Sequence, residues 1–231
     1  MKYQQAPLSY IRQYYEADVG ETETPESRFY QRYLKKVKGD SVLSVACGPQ
    51  LYDDLAFFGK KPKEYVGLDI NKNTVRFLKT SKNAHLLKNK KAAKGVRVKA
   101  LVGDVLKYDP RFKDRFDCVI AVAVLGMFPK NDFRRAIKNI RSYLKPGGTF
   151  LDIDWTDSNL TKEIYAEKEK YRFYTRKGPR VKDQESLIRA SRFRIVGYDE
   201  IWPDKRTYQW GKIFVYVAKA NKQITQENAK N

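Results

Sequence analysis

The fold of this chain is decided by residues 42–50, which read VLSVACGPQ. The first four residues have the apolar, β-prone character of a buried strand, with Ser44 the exception, and they lead directly into a turn of small residues. A helical pattern begins at Leu51. A strand that ends in such a turn and opens a helix presents backbone N–H groups to a ligand, because no side chain holds the ligand away. The stretch therefore predicts a ligand-binding turn.

The strand patterns that follow agree with this prediction. Asp69 ends the second strand, 21 positions after Gly48, where a carboxylate is placed to accept hydrogen bonds from ribose hydroxyls. The third strand ends in Gly103 and Asp104, and the apolar fourth strand is typical of a central parallel strand. The predicted strands cover residues 42–45, 65–70, 98–105, 116–122, 149–154 and 212–218, the last of them antiparallel. Helical patterns lie between them, so the sequence predicts an α/β fold.

This series of motifs resembles the class I S-adenosylmethionine-dependent methyltransferases over residues 40–220. The resemblance implies a Rossmann-like sheet of seven strands, mostly parallel with a final antiparallel strand, helices on both faces and a small helical cap. It also implies S-adenosylmethionine as the cofactor and direct in-line methyl transfer as the activity. The domain organisation that we expect is an N-terminal helical cap over 1–39, a methyltransferase domain over 40–220 with a cap insertion at 157–182, and a polar tail over 221–231.

The same resemblance assigns roles in cofactor binding one position at a time. In the family, the glycine turn holds the methionine end of the cofactor and the acid of the second strand takes the ribose. The acid of the third strand meets the adenine amino group, and the end of the fourth strand faces the methionine and the acceptor. The corresponding residues here are Ala46, Cys47, Gly48, Asp69, Ile70, Asp104, Val105, Ala121 and Val122.

Two positions depart from the family pattern. Ser44 stands where an acid is usual, and Gln50 stands where a glycine is usual. The missing acid often fixes the ammonium group of the cofactor, and a glutamine side chain covers a helix start that is usually bare. We therefore expect a modest affinity for the cofactor, or another residue in the place of the acid.

The acceptor site is expected around the open ends of the strands. Asp154 lies near the tip of the fifth strand, where an acid can orient an amine or accept its proton, although capping of the next segment explains it equally well. Aromatic residues of the N-terminal helices and of the insertion would line the same space. The candidate acceptor residues are Tyr10, Tyr14, Tyr15, Asp154, Trp155 and Tyr174.

Composition limits the classes of protein that remain. The 231 residues carry a formal net charge of +20, and residues 81–120 hold 11 lysines and arginines against four acids. Such charge is explained by solvated lysines, or it attracts nucleic acid. The two cysteines are not expected to form a disulfide, no metal-ligand cluster is visible, and the single histidine, His85, is expected at the surface. No apolar stretch is long enough to span a membrane, and no N-terminal signal is visible, so we predict a cytoplasmic protein.

The leading hypothesis is a methyltransferase that acts on a nitrogen or oxygen atom of a small molecule. An enclosed pocket built with some of the 16 tyrosines would suit a cationic or aromatic acceptor. The alternatives are an RNA or protein methyltransferase that uses the basic surface, and an S-adenosylmethionine-binding protein without transfer activity. The acceptor atom and the oligomeric state are left open at this stage.

Overall fold

A computed structural model describes residues 5–18, 25–155, 181–201 and 213–221. Within these ranges seven helices surround one seven-stranded sheet. The helices are α1 (Leu8–Asp18), α2 (Pro25–Leu34), α3 (Leu51–Phe57), α4 (Lys72–Thr80), α5 (Ala84–Ala92), α6 (Lys130–Tyr143) and α7 (Val181–Ala190). The strands are β1 (Ser41–Val45), β2 (Glu64–Asp69), β3 (Arg97–Val102), β4 (Phe116–Val122), β5 (Leu144–Trp155), β6 (Phe193–Ile201) and β7 (Ile213–Ala220).

The strand order is β3-β2-β1-β4-β5-β7-β6, and β7 is antiparallel to both of its neighbours. The pairs β1–β2, β2–β3, β1–β4 and β4–β5 are parallel. The prediction of a mostly parallel, Rossmann-like sheet with a final antiparallel strand is confirmed. The order reverses between β1 and β4, and a crevice opens at the carboxyl ends of the strands where the order of an α/β sheet reverses.

Helices cover both faces of the sheet because side chains alternate along each strand. One face carries Leu43, Val66 and Val119 and packs against α6 and α7. The other face carries Val42, Tyr65 and the buried residues of the first five helices. The central strands are therefore apolar on both sides, which explains their near-continuous apolar sequences.

The two N-terminal helices pack on the second of these faces. Tyr15 of α1 and Phe29 of α2 are buried there, and α1 runs against α4. The boundaries of the cap, the insertion at 157–182 and the tail stay predictions, since most of the insertion and tail lies outside the described residues.

Two element boundaries differ from the sequence-based expectation. The third strand ends at Val102 instead of residue 105, so Gly103 and Asp104 form a turn. The fifth strand begins at Leu144, which pairs with Phe116, and a register shift follows because the residues before Thr149 bulge out of the ladder. Both differences arise from hydrogen bonds between distant segments, which the local sequence does not encode.

Candidate active site

The turn after β1 has an unusual backbone conformation. Ala46 and Gly48 have φ values of +50° and +57°, in the left-handed region. Cys47 lies between them, and its N–H donates to the carbonyl of Leu68 at 3.1 Å. Two left-handed residues in three reverse the chain sharply, and such a conformation suits residues that have little or no side chain.

Asp69 fixes this turn from the neighbouring strand. Its Oδ2 accepts the N–H of Gly48 at 2.9 Å, and its Oδ1 accepts the N–H of Asn71 at 2.7 Å. The residue is 8% exposed, and burial raises the pKa of its carboxyl while the two N–H donors oppose that rise. The turn after β1 and the turn after β2 are thus held together by one carboxylate.

The N-terminal segment closes over the turn after β2. Gln5 donates to the carbonyl of Ile70 at 3.2 Å and accepts the N–H of Lys72 at 2.7 Å. The side chain of Asn73 donates to the carbonyl of Ala6 at 2.8 Å. No sequence motif indicates this role of Gln5, because a lone glutamine before the first helix has no characteristic pattern around it.

The third strand delivers its acid to the same edge of the sheet. The N–H of Gly103 donates to the carbonyl of Asp69 at 2.9 Å. Asp104 follows, and its Oδ1 accepts the N–H of Leu106 at 2.9 Å, which orders the turn. Val105 is buried, and its carbonyl accepts a hydrogen bond from the Asn139 side chain at 2.8 Å.

The fourth and fifth strands end side by side on the opposite half of the crevice. Ala121 is fully buried and Val122 is half-buried. Ala123 follows with a φ of +57°, and its N–H donates to the carbonyl of Ile153 at 2.8 Å. The next turn approaches Asp154, whose Oδ2 accepts the N–H of Gly126.

Asp154 belongs to a pair of buried acids on one face of β5. Asp154 is 2% exposed, and Asp152 is fully buried. Neither carboxyl oxygen of Asp152 has a hydrogen-bond partner in the part of the chain that the structure describes. Burial raises the pKa of Asp152 well above its ordinary value, and the nearby Asp154 raises it further. Burial therefore favours the protonated, neutral form of Asp152, because an isolated carboxylate is costly to bury.

Comparison with known proteins finds one family over part of the chain. A family model for a methyltransferase domain matches residues 42–148, which contain the turn after β1, Asp69, Asp104 and β4. Over these residues, which make up just under half of the chain, the protein is similar to methyltransferases. No curated protein sequence matches the chain.

Solved structures share the fold of this chain at low sequence identity. The N-methyltransferase NodS from Bradyrhizobium japonicum, in complex with S-adenosyl-L-homocysteine, is 13% identical with a TM-score of 0.59 over 86% of this chain and 89% of that chain. An S-adenosylmethionine-dependent methyltransferase from Mesorhizobium loti is 15% identical with a TM-score of 0.59 over 84% and 97%. The [4+2]-cyclase SpnF is 14% identical with a TM-score of 0.60 over 85% and 81%.

The turn after β1 has room for a ligand beside Gly48. A Cβ atom placed on Gly48 would meet only Gln50 Oε1, at 2.7 Å, so the space beside this glycine is otherwise open. The side chain of Cys47 is buried, burial raises the pKa of its thiol, and its N–H is bonded to Leu68, so neither its sulfur nor its N–H is offered to a ligand. The residues present therefore fit the methionine end of the cofactor.

The two departures from the family pattern occupy different positions relative to this turn. Ser44 is 2% exposed in the middle of β1, between Gly67 and Ile120 of the neighbouring strands. Gln50 directly precedes α3, and its amide oxygen reaches back towards Gly48. Gln50 thus narrows the open side of the turn, whereas Ser44 is enclosed by the sheet.

The candidate acceptor residues do not all meet in one place. Tyr15 is fully buried, its hydroxyl donates to Asp53 Oδ1 at 3.3 Å, and its ring lies 5.2 Å from that of Phe77. Tyr10 is half-buried against the same core. Tyr14 lies on α1 and Trp155 ends β5, while Tyr174 lies outside the described residues. Contact of any of these residues with an acceptor stays a prediction.

The expectation that His85 is a surface residue is wrong. Its side chain is 33% exposed, and Nε2 lies 2.7 Å from Asp53 Oδ1. Asn89, one turn further along α5, donates to the same oxygen. A lysine-rich segment predicts a solvent-exposed histidine. In the structure, however, α5 packs against α3, and this packing brings His85 to Asp53. The cluster ties α1, α3 and α5 together beside the cofactor turn.

Proposed function

We propose that this protein is an S-adenosylmethionine-dependent methyltransferase that acts on a nitrogen or oxygen atom of a small-molecule acceptor, and that an amine is the favoured acceptor. The observation that carries the proposal is Asp154, a buried acid at the carboxyl end of β5 that accepts the N–H of Gly126 beside the exit of β4. In the family, the end of the fourth strand faces the acceptor, so Asp154 would lie on the acceptor side of the crevice.

The methionine end of the cofactor would be held by the backbone of Ala46, Cys47 and Gly48. The ribose would be held by Asp69 and Ile70, and the adenine would be held by Asp104 and Val105. Ala121 and Val122 would close the apolar wall between cofactor and acceptor, which excludes water. Bound S-adenosylmethionine supplies an electrophilic methyl group on its sulfonium. The residues of the chain need only orient the acceptor and handle its proton, and orientation alone can supply much of the rate enhancement.

Asp154 would perform both tasks for an amine. Its charge attracts the ammonium form, and its carboxylate takes the proton that the amine must lose before it becomes nucleophilic. Asp152 lies two residues away on the same face of β5, and its raised pKa favours the neutral acid, which limits the negative charge of the pair. The hydrogen bond from Gly126 fixes Oδ2 of Asp154. Because the carboxylate is planar, this bond also limits the direction in which Oδ1 points.

A panel of small amines and phenols, assayed with methyl-labelled S-adenosylmethionine, tests the proposal. Asp154→Asn keeps the shape of the side chain but removes the charge, and we expect kcat/KM for the best amine to fall by about a hundredfold or more. Asp132→Asn on α6, where the acid pairs with Arg135, is the matched control and should retain wild-type turnover. Calorimetric titration with S-adenosylhomocysteine should give the same affinity for all three proteins.

Equal turnover by Asp154→Asn and the wild type would remove Asp154 from the mechanism. Methylation of an RNA or a protein, with every small acceptor silent, would overturn the small-molecule proposal.

The cytoplasm is the compartment that we propose, because both cysteines are free and buried, as in proteins of reducing compartments. Within the described residues no helix has the length and apolar character to cross a membrane.

A further inference from the structure

The positive charge of the chain is concentrated in one segment. Residues 60–99 contain thirteen lysines and arginines and two acids, a net charge of +11 against +20 for all 231 residues. This segment forms β2, α4, α5 and most of the edge strand β3. Twelve of the thirteen basic residues are exposed, and Lys90 is half-buried.

The two acids of the segment do not neutralise this surface. Glu64 is 6% exposed and is held by Arg97, Lys99 and Arg115. Asp69 is buried in the cofactor turn, where it accepts two backbone N–H groups. No carboxylate of residues 60–99 therefore faces solvent among the lysines of α4 and α5.

The helices arrange these cations in rows. On α4 the residues Lys72, Arg76 and Lys79 are exposed at spacings of four and three, so they form one stripe opposite the buried side of that helix. The stripe extends about 10 Å along the axis, given a rise of 1.5 Å per residue.

On α5 and the turn after it, Lys88, Lys91 and Lys94 are exposed at spacings of three. Lys90 turns away from them, with Nζ 5.4 Å from the centre of the Tyr52 ring. With Lys90 packed inwards, the other three lysines remain as a second row.

A groove of about 270 Å³ lies between α1 and the end of α4, beside these rows. It is lined by Leu8, Arg12, Phe77, Thr80, Ser81 and Lys82. Two cations and two hydroxyl groups thus meet in a concave site next to the stripe of α4. Cationic and hydroxyl side chains are the groups that contact phosphate oxygens in complexes with nucleic acids.

We propose that the basic face of α4 and α5 binds the phosphate backbone of a nucleic acid. The basic face is defined as Lys72, Arg76, Lys79, Lys82, Lys88, Lys91 and Lys94. Within the described parts of the chain these cations have no ion pair with an acid, and rows of such point charges match the evenly charged backbone of a polynucleotide, whose released counterions drive association. This face therefore docks the enzyme on a polyanion without reading its sequence.

Two other kinds of partner fit this face less well. Protein interfaces are depleted of lysine and enriched in aromatic residues, whereas this face is lysine-rich. Peripheral membrane binding needs apolar side chains that enter the lipid, and Leu87 is the one large exposed hydrophobic residue of α4 and α5. A phosphate backbone requires neither feature.

The basic face is separate from the proposed acceptor residue. Edge strand β3 and Asp154 of β5 lie on opposite sides of β1 and β4 in the strand order. Docking on a nucleic acid is thus compatible with a small acceptor, and it can be measured without turnover. Failure of the docking proposal leaves the proposed methyl transfer untouched, and the reverse also holds.

The test is a salt series of binding to labelled duplex RNA, duplex DNA and single-stranded RNA of equal length. The variant carries Lys88→Glu, Lys91→Glu and Lys94→Glu. The control carries Lys130→Glu, Arg134→Glu and Lys138→Glu on exposed positions of α6, so both variants change the net charge equally. Titration with S-adenosylhomocysteine verifies that both variants are folded.

We expect wild-type binding to weaken steeply with salt, and the log–log slope of the α5 variant to fall by about 2 to 3, because three phosphate contacts are lost. The α6 control should keep the wild-type slope. The three probes show whether RNA or DNA geometry is preferred. The proposal is overturned if both variants lose affinity equally, if no probe binds near physiological salt, or if phosphatidylserine vesicles bind and the nucleic acids do not.

Discussion

Asp69 Oδ2 accepts the backbone N–H of Gly48 at 2.9 Å, although the two residues belong to turns after different strands. The turn that would receive the cofactor is therefore shaped by a carboxylate 21 positions further along the chain. Asp69 has a structural role that is separate from any contact with a ribose. A variant at this position disturbs the turn and the ligand together, so stability and affinity must both be measured.

Asp69→Asn should lower both the stability and the cofactor affinity. The amide has one acceptor in place of two, so one of the N–H groups of Gly48 and Asn71 would face an NH₂ group. We expect the free energy of unfolding to fall by about 1–3 kcal/mol, which urea denaturation would measure. Affinity for S-adenosylhomocysteine should fall at least about tenfold by calorimetry, since that ratio equals about 1.4 kcal/mol. Unchanged affinity would show that the turn keeps its shape without this carboxylate.

Gly67→Ala should destabilise the core behind the cofactor turn. A Cβ at this position would lie 2.7 Å from Leu51 Cδ1 and 2.8 Å from Cys47 Sγ, so buried atoms on both sides would have to move. The expected cost is about 1–3 kcal/mol. The matched control is Gly197→Ala in β6, where the nearest atom would be Val217 Cβ at an ordinary 3.5 Å. Thermal unfolding of the two variants compares them directly, and equal midpoints would contradict the prediction.

Glu64 should make stability depend on pH in the acid range. Burial alone would raise the pKa of Glu64, but hydrogen bonds from Arg115, Lys99 and Arg97 outweigh it and lower the pKa from 4.5 to about 2. A lowered pKa means that the contribution to stability is complete above pH 4.5 and is lost as the pH falls towards 2. Because these cations are partly exposed to solvent, we expect a contribution of about 1–3 kcal/mol.

Glu64→Gln should therefore be less stable than the wild type at pH 7, and the difference should vanish near pH 2. Glu185→Gln is the control, since Glu185 pairs with Arg189 on the exposed side of α7. Its effect should stay within about 0.5 kcal/mol, as is typical of surface pairs. Urea denaturation over the acid range measures both, and a constant difference for Glu64→Gln at all pH values would be the contrary result.

The stability of Asp152→Asn relative to the wild type should change with pH in the direction opposite to that of Glu64→Gln. Burial and the nearby Asp154 raise the pKa of Asp152, so the folded protein binds a proton there and loses stability as the pH rises above the ordinary value of 3.8. An amide has no charge to bury. The variant should gain stability relative to the wild type between pH 5 and 8 and match it near pH 4. A stability loss at pH 8 would mean that the carboxylate is paired in solution.

Tyr15 should act through packing. Tyr15→Phe removes the hydroxyl that donates to Asp53 and should cost about 1 kcal/mol of stability, with turnover unchanged. Tyr15→Ala removes a fully buried ring that contacts Phe77, and a loss of about 3–5 kcal/mol is expected. Denaturation and steady-state kinetics on the same preparations test both statements. A large drop in kcat for Tyr15→Phe at full stability would instead place the hydroxyl in the reaction.

Much of the architecture was accessible from local sequence patterns. Short-range rules predict the strand at 42–45, the helix start at Leu51 and the acids at 69 and 104. They do so because apolar patterns, small-residue turns and capping act within a few residues. Asn71, for example, caps α4 by accepting the N–H of Asn73, as its position after a strand suggested. Because parallel strands expose their carboxyl ends at one edge, that edge was also predictable.

The residues that the sequence alone could not assign depend on contacts between distant segments. Gln5 on the turn after β2 and the pair Asn89 and His85 on Asp53 carry no local signal. Their environment is created when helices and strands from separate parts of the chain pack together. Burial and the loss of water then decide whether a polar side chain is a solvated surface group or a fixed member of a cluster.

The sequence by itself determined the order of the strands and helices along the chain, the resemblance to methyltransferases and the total charge. The tertiary structure alone decided which charges remain exposed and which acids are buried, because desolvation and hydrogen bonding act through space. Glu64 and Asp69 are buried by the residues around them, whereas the cations of the basic face are exposed to solvent. The sequence shows only a net charge of +20. The structure shows that Asp152 and Asp154 are buried beside the crevice and that a positive surface lies at the edge of the sheet.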